Sequence, residues 1–253
     1  MDAAREALPA LLATPGFGWL VAATLAAGMI RGFAGFGTAL VYLPVAGAIL
    51  PPFAAITTLL VMDIPAPLVA ARRAMREADL GEMARLVGGS IIGLPLGVIA
   101  LGLVDPEVFR YAVSVLAFVL LAALVGGLRY QRRPSTTAVL GTGGIAGFLG
   151  GSAGMAGPPV ILFYMASTRA PQTIRATILL FLIAEAVLAL TVFGLAGRLA
   201  AEAILIGFVL TVPNAIGIAL GSALFDPRRA TLYRRVAYAV IAASALSGLP
   251  LWD

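Results

Sequence analysis

Long apolar runs alternate with short charged breaks along this chain, and most ionisable side chains sit in the breaks. Residues 17–50 are apolar apart from Arg31. That run is too long for one membrane span, which takes about 20 residues. The glycine-rich stretch Gly28-Met29-Ile30-Arg31-Gly32-Phe33-Ala34-Gly35-Phe36-Gly37 divides it into 17–30 and 38–50. After Pro51-Pro52 comes a predicted span at 53–71, with Asp63 between Met62 and Ile64-Pro65. A charged loop at 72–85 leads into spans at 86–104 and 108–128, joined by Asp105-Pro106-Glu107. Proline's fixed φ suits the helix start at that turn.

The second half repeats this order. Residues 138–166 are again interrupted by glycine, at 147–157, and Pro158-Pro159 follow. A shift of 119 residues places Gly28 on Gly147, Gly32 on Gly151, Gly35 on Gly154 and Pro52 on Pro171. Predicted spans follow at 174–196, which contains Glu185, at 203–225, which contains Pro213-Asn214, and at 232–249. Asp226-Pro227 answers Asp105-Pro106 at a shift of 121. The chain therefore reads as a single transmembrane domain over 1–253, with repeat 1 at 16–128 and repeat 2 at 136–250.

Composition agrees with the pattern. The 253 residues are 61% hydrophobic and 11% charged, against about 25% charged in soluble proteins. Continuous runs exclude the short alternating segments of a barrel, so the fold class is an all-α integral membrane protein. Asp2, Arg5 and Glu6 do not make the basic start of a signal peptide. Cysteine and histidine are absent, and all 17 basic residues are arginine. Thiol chemistry, a Walker A lysine and a histidine-based metal site are excluded. No cofactor and no metal are expected. Gly150-Gly151-Ser152-Ala153-Gly154 fits the G-x-S-x-G elbow of hydrolases, but no histidine exists to act as its base.

Arginine placement predicts how the halves lie. If each interrupted segment crosses once, nine arginines face seven, which gives no orientation. If each returns to the side it entered, 13 share a side: Arg72, Arg73, Arg76, Arg85, Arg129, Arg132, Arg133, Arg169, Arg175, Arg228, Arg229, Arg234 and Arg235. Only Arg5, Arg110 and Arg198, 3 residues, oppose them. The expectation is two inverted repeats, each an interrupted, re-entrant helical hairpin plus three transmembrane helices. Pieces of about 13 residues span ~20 Å, short of the ~30 Å hydrocarbon core. Basic loops 72–85, 129–134 and 226–235 are predicted on the cytoplasmic side of the cell membrane. The high isoelectric point then reflects loops facing anionic lipid rather than nucleic acid.

Broken helices at matching places in two halves point to a transporter binding site. The first N–H groups of each returning half-helix lack intrahelical partners and carry partial positive charge, which suits an anion. Candidate substrate-binding residues are Arg31, Gly32, Gly35, Gly37, Thr38 and Tyr42 in the first half. In the second they are Gly151, Ser152, Gly154, Gly157 and Asn214. Packing is the competing explanation, because Gly28/Gly32 and Gly147/Gly151 are also GxxxG contacts. Asp63 and Glu185 are the carboxylates inside spans, on equivalent helices, and are candidates for proton coupling or gating. A structural ion pair with Arg31 is the alternative for them.

These features resemble the sulfite exporter (TauE/SafE) family. The resemblance rests on the stretch Gly28 to Gly37 and on Gly144-Ile-Ala-Gly147-Phe-Leu-Gly150-Gly-Ser-Ala-Gly154-Met-Ala-Gly157-Pro158-Pro159, and covers nearly the whole chain. It implies movement of sulfite, sulfonates or related organosulfur and carboxylate anions across the cytoplasmic membrane. The expectation is a secondary transporter of small anions working by alternating access, with the lipid bilayer and the anion as its partners and possible proton coupling. An anion channel and a non-transporting scaffold or assembly factor are the alternatives. Which anion, the direction, the coupling ion and the oligomeric state are open at this level.

Overall fold

The computed structural model describes residues 15–126, 135–164 and 169–249. The predicted loop at 129–134 lies outside them. The helices are α1 (Phe17–Ala34), α2 (Thr38–Ala46), α3 (Pro52–Asp63), α4 (Pro65–Glu77), α5 (Leu80–Gly102), α6 (Pro106–Val125), α7 (Thr136–Ala153), α8 (Gly157–Tyr164), α9 (Pro171–Leu195), α10 (Ala201–Leu224) and α11 (Ala230–Gly248). A 3₁₀ turn, Pro227–Arg229, precedes α11. Among the described residues 5 helices are long and apolar enough to cross a membrane, or 6 when α3 and α4 count as one bent span. The faces turned outward carry Ile91, Ile92, Ile99, Phe208, Val212 and Ile216. Exposed apolar faces on helices that satisfy their own backbone groups are what hydrocarbon requires.

The breaks fall where backbone chemistry puts them. The first hairpin has unequal arms, 18 residues in α1 and 9 in α2, where the sequence predicts two of about 13. The helix runs through Gly28 and Gly32 and ends only at Gly35. Gly35 and Gly37 have φ of 80° and 107°, a left-handed geometry that is costly for residues with a Cβ. Gly154 ends α7 in the same way, at φ 66°. The predicted span 53–71 is two helices, bent by 53° between Asp63 and Pro65. Pro65 and Pro67 each lack an N–H, so the helical ladder loses two bonds over three residues.

Both interrupted segments turn back on themselves. A Cβ placed on Gly16, ahead of α1, would lie 3.2 Å from the side chain of Ile49, just past α2. At the far end of the second hairpin, Arg169 Nη1 donates to Asp79 Oδ2 at 2.6 Å. Arg169 therefore shares an end of the molecule with the 72–85 segment. Counting each interrupted segment as one crossing would put them on opposite ends. The other end holds Arg198, 5.3 Å above the Phe53 ring, and Arg110, whose Nε donates to the Gly248 carbonyl at 2.9 Å.

The halves interlock reciprocally. α1 of the first half packs on α10 of the second, and α7 of the second packs on α5 of the first. In both pairs residue numbers rise together along the contact, so the helices run parallel. Gly28 and Gly32 meet Gly217 and Gly221, and a Cβ on Gly32 would lie 2.9 Å from the Gly221 Cα. Gly89, Gly93 and Gly97 meet the face of Gly143, Gly147 and Gly151. A Cβ on Gly147 would lie 2.7 Å from the Ser90 Cα. Small residues at four-residue steps let the backbones approach this closely, which is how helices associate without a hydrophobic driving force.

Candidate functional site

The bend after α3 and the tip of the first hairpin come together. Arg31, in the last turn of α1, is ion-paired with Asp63 at the end of α3. Its Nη1 also lies 3.5 Å from the hydroxyl of Thr38, the first residue of α2. Asn214, buried in α10 beside Pro213, donates from Nδ2 to the Met62 carbonyl at 3.1 Å and to Asp63 Oδ1 at 3.4 Å. The proline-induced bend thus presents a carbonyl and a carboxylate, and the second half supplies the amide that meets them. Asn214 Oδ1 is buried with no hydrogen-bond partner.

This cluster is partly open. The Arg31 and Asp63 side chains are 19% and 28% exposed, and a Cβ on Gly35 would meet nothing within 4 Å. The start of α2, with its unpaired N–H groups, adds to the positive charge of Arg31. One cation, one helix N-terminus, a hydroxyl and an amide can bind an anion, and Asp63 offsets one unit of that charge.

The remaining candidates make other contacts. Gly32 and Gly151 pack directly against α10 and α5. Ser152 donates to the Phe148 carbonyl of its own helix at 2.7 Å. The Tyr42 hydroxyl is buried 2.8 Å from Thr58 Oγ1. Gly37 lies near Ile30, and Gly157, at the start of α8, faces Leu182 of α9. A Cβ on Gly154 would lie 2.9 Å from Leu43, so the second tip rests on the returning arm of the first hairpin.

Glu185 is not the carboxylate paired with Arg31. It is 4% exposed, and its Oε1 has no hydrogen-bond partner. That oxygen lies directly against Gly150, where a Cβ would collide with it. A shift of 119 residues carries Arg31 onto Gly150. Each half therefore sets a carboxylate from the span after the hairpin beside the same hairpin position. The first half has arginine there and the second has glycine.

A polar cluster built on the charged segment 72–85 closes one end. Asp79 caps α5 by accepting from the Glu82 N–H at 2.9 Å, and its own N–H donates to Thr177 Oγ1 at 2.9 Å. The buried Glu82 carboxylate accepts from Arg169 Nη2 at 2.7 Å and from the Tyr164 hydroxyl at 2.8 Å. The Glu82 N–H bond, aided by Arg169, holds the Asp79 carboxyl below its ordinary pKa. The spacing Asp79-x-x-Glu82 before an apolar run is the signal that marks this cap in the sequence.

The family model for "Sulfite exporter TauE/SafE" matches residues 20–248. The chain belongs to that family. It is a family of membrane transporters of sulfur-containing anions, and the match takes in every helix named above except residues 17–19 at the start of α1. TauE/SafE membership and the apolar helices make this a multi-pass membrane protein. No curated protein and no solved structure matches the chain.

Proposed function

We propose that this TauE/SafE protein is a secondary transporter of small sulfite- or sulfonate-type anions, and that it binds the anion at the first hairpin tip. The observation that carries this reading is Arg31. It is the one arginine within the glycine-rich tip, it stands beside the start of α2, and it remains partly accessible. Placing such a charge in a membrane helix costs about 2.5–3.5 kcal/mol on insertion scales, and a bound anion makes use of it. The substrate anion replaces Asp63 on the guanidinium, and Thr38, Asn214 and the α2 N–H groups complete its hydrogen bonds. Movement of one half against the other, about the two glycine interfaces, then exposes this position to either side. The end that carries Arg72, Arg73, Arg76, Arg85, Arg169 and Arg175 faces the cytoplasm on the positive-inside rule.

The test is anion flux in proteoliposomes, preceded by a thermal-shift panel of sulfite, sulfate, thiosulfate, sulfonates and simple carboxylates. Arg31→Ala should weaken anion binding about ten- to a hundredfold, from the ~1.5–3 kcal/mol of hydrogen bonds to a charged group. Unchanged binding by that variant removes Arg31 from the site. Non-saturating flux would favour a channel, and no stabilisation by any anion a scaffold.

A further inference from the structure

We propose that Glu185 is the proton-binding site through which anion movement is coupled to proton movement, and that Asp63 is the counter-charge of Arg31 in the anion-free protein. The coupling half of this inference rests on the anion-transport reading above; the proton site itself does not.

The two intramembrane carboxylates have opposite surroundings. Asp63 has a guanidinium and an amide within reach. Glu185 is buried against the second hairpin, with Oε1 over Gly150 and without any hydrogen-bond partner. An ionised carboxylate in that setting is costly, whereas the protonated acid is far less so. Asp63 has its counter-charge at hand, whereas Glu185 faces glycine and has none.

Among the described residues no neighbouring charge takes the place of the missing arginine. On α4 the ionisable groups are Arg72, Arg73 and Arg76, all exposed, and Glu77, which is bonded to Arg73. On α5 they are Glu82, held by Tyr164 and Arg169, and the exposed Arg85. α8 contributes Tyr164, already bonded to Glu82. α3 contributes Asp63, already paired with Arg31. α7 carries no ionisable side chain, and on α9 itself Arg175 is exposed near the helix start. Glu185 also lies at the tip that rests on α2 through Gly154 and Leu43. A change of charge at Glu185 therefore acts where the two hairpins touch, and this joins the proton site to the anion site.

Two measurements on the full-length protein test this. The first is infrared difference spectroscopy of the carbonyl stretch of a protonated carboxyl, in wild type, Glu185→Gln, Glu185→Asp and Asp63→Asn. The band is expected in wild type, lost in Glu185→Gln, displaced in Glu185→Asp and kept in Asp63→Asn. Its absence from wild type, or its survival in Glu185→Gln, overturns the proton site. The second is proton flux, read with a trapped pH dye, per anion moved in proteoliposomes. Wild type should move protons with the anion, and whatever anion flux Glu185→Gln retains should carry none. A wild-type proton-to-anion ratio in Glu185→Gln, or anion flux without protons in wild type, overturns the coupling. If wild type moves no anion, the transport reading fails, and the infrared band still decides the proton site.

Discussion

Arg31 and Asp63 form an ion pair across the first break, 32 positions apart in the chain and on two helices that both end there. The pair makes Asp63 a built-in competitor for any anion that uses Arg31. Asp63→Asn should therefore raise anion affinity while lowering the stability of the anion-free protein. Breaking a fully buried pair costs about 3–5 kcal/mol, and the partial exposure here reduces that figure. Thermal unfolding with and without sulfite reads both effects; weaker anion binding in this variant would end the competition argument.

The interface of α5 and α7 predicts a sharp contrast among glycines of one helix. Gly147→Ala puts a methyl against the backbone of Ser90 and should destabilise by about 1–3 kcal/mol, as overpacking does. Gly141→Ala, on the same helix but with nothing within 4 Å, should be neutral or gain up to about 1 kcal/mol from helix propensity. Equal effects of the two, in detergent thermal melts, would contradict the packing described.

The polar cluster around Asp79 and Glu82 predicts a dependence on acid. Asp79 is held below its ordinary pKa chiefly by the Glu82 N–H and then by Arg169. A depressed carboxyl contributes stability that is present above its unfolded value, about 3.9, and is lost as pH falls through the folded value. Asp79→Ala should remove that acid-dependent part and cost about 0.5–2 kcal/mol through the lost cap. Melting temperatures followed down through this range provide the check.

Tyr164 closes the second hairpin onto α5 through Glu82. Tyr164→Phe leaves one oxygen of a buried carboxylate without its donor, at a cost of about 1–3 kcal/mol. Because the contact ties the base of the hairpin rather than its tip, anion affinity should stay within about twofold while the melting temperature falls. A large change in affinity would place this end of the hairpin in the binding step.

Much of the architecture was legible from local chemistry. Apolar runs of span length force helices in hydrocarbon, because each helix bonds its own backbone. The glycine clusters marked both tips, and the split of arginines predicted the shared end that the Arg169–Asp79 bond displays. The glycine-rich stretches at 28–37 and 144–159 also carried the resemblance to the family. Those are statements about each segment and its nearest neighbours, and a sequence holds that information directly.

Three features depended on contacts between distant segments. The glycines at 89, 93 and 97 face those at 143, 147 and 151 only because α5 and α7 run parallel in register, which no single helix specifies. Hence glycines that look alike in the sequence divide into those that bring helices together and those, such as Gly35 and Gly37, that turn the chain. The span at 53–71 reads as continuous, yet the two prolines bend it and Asn214 from the other half satisfies the exposed carbonyl. Finally, Asp63 and Glu185 look equivalent along the chain. Tertiary contact separates them, because a buried carboxylate is defined by its partner, and only one of the two sits beside an arginine.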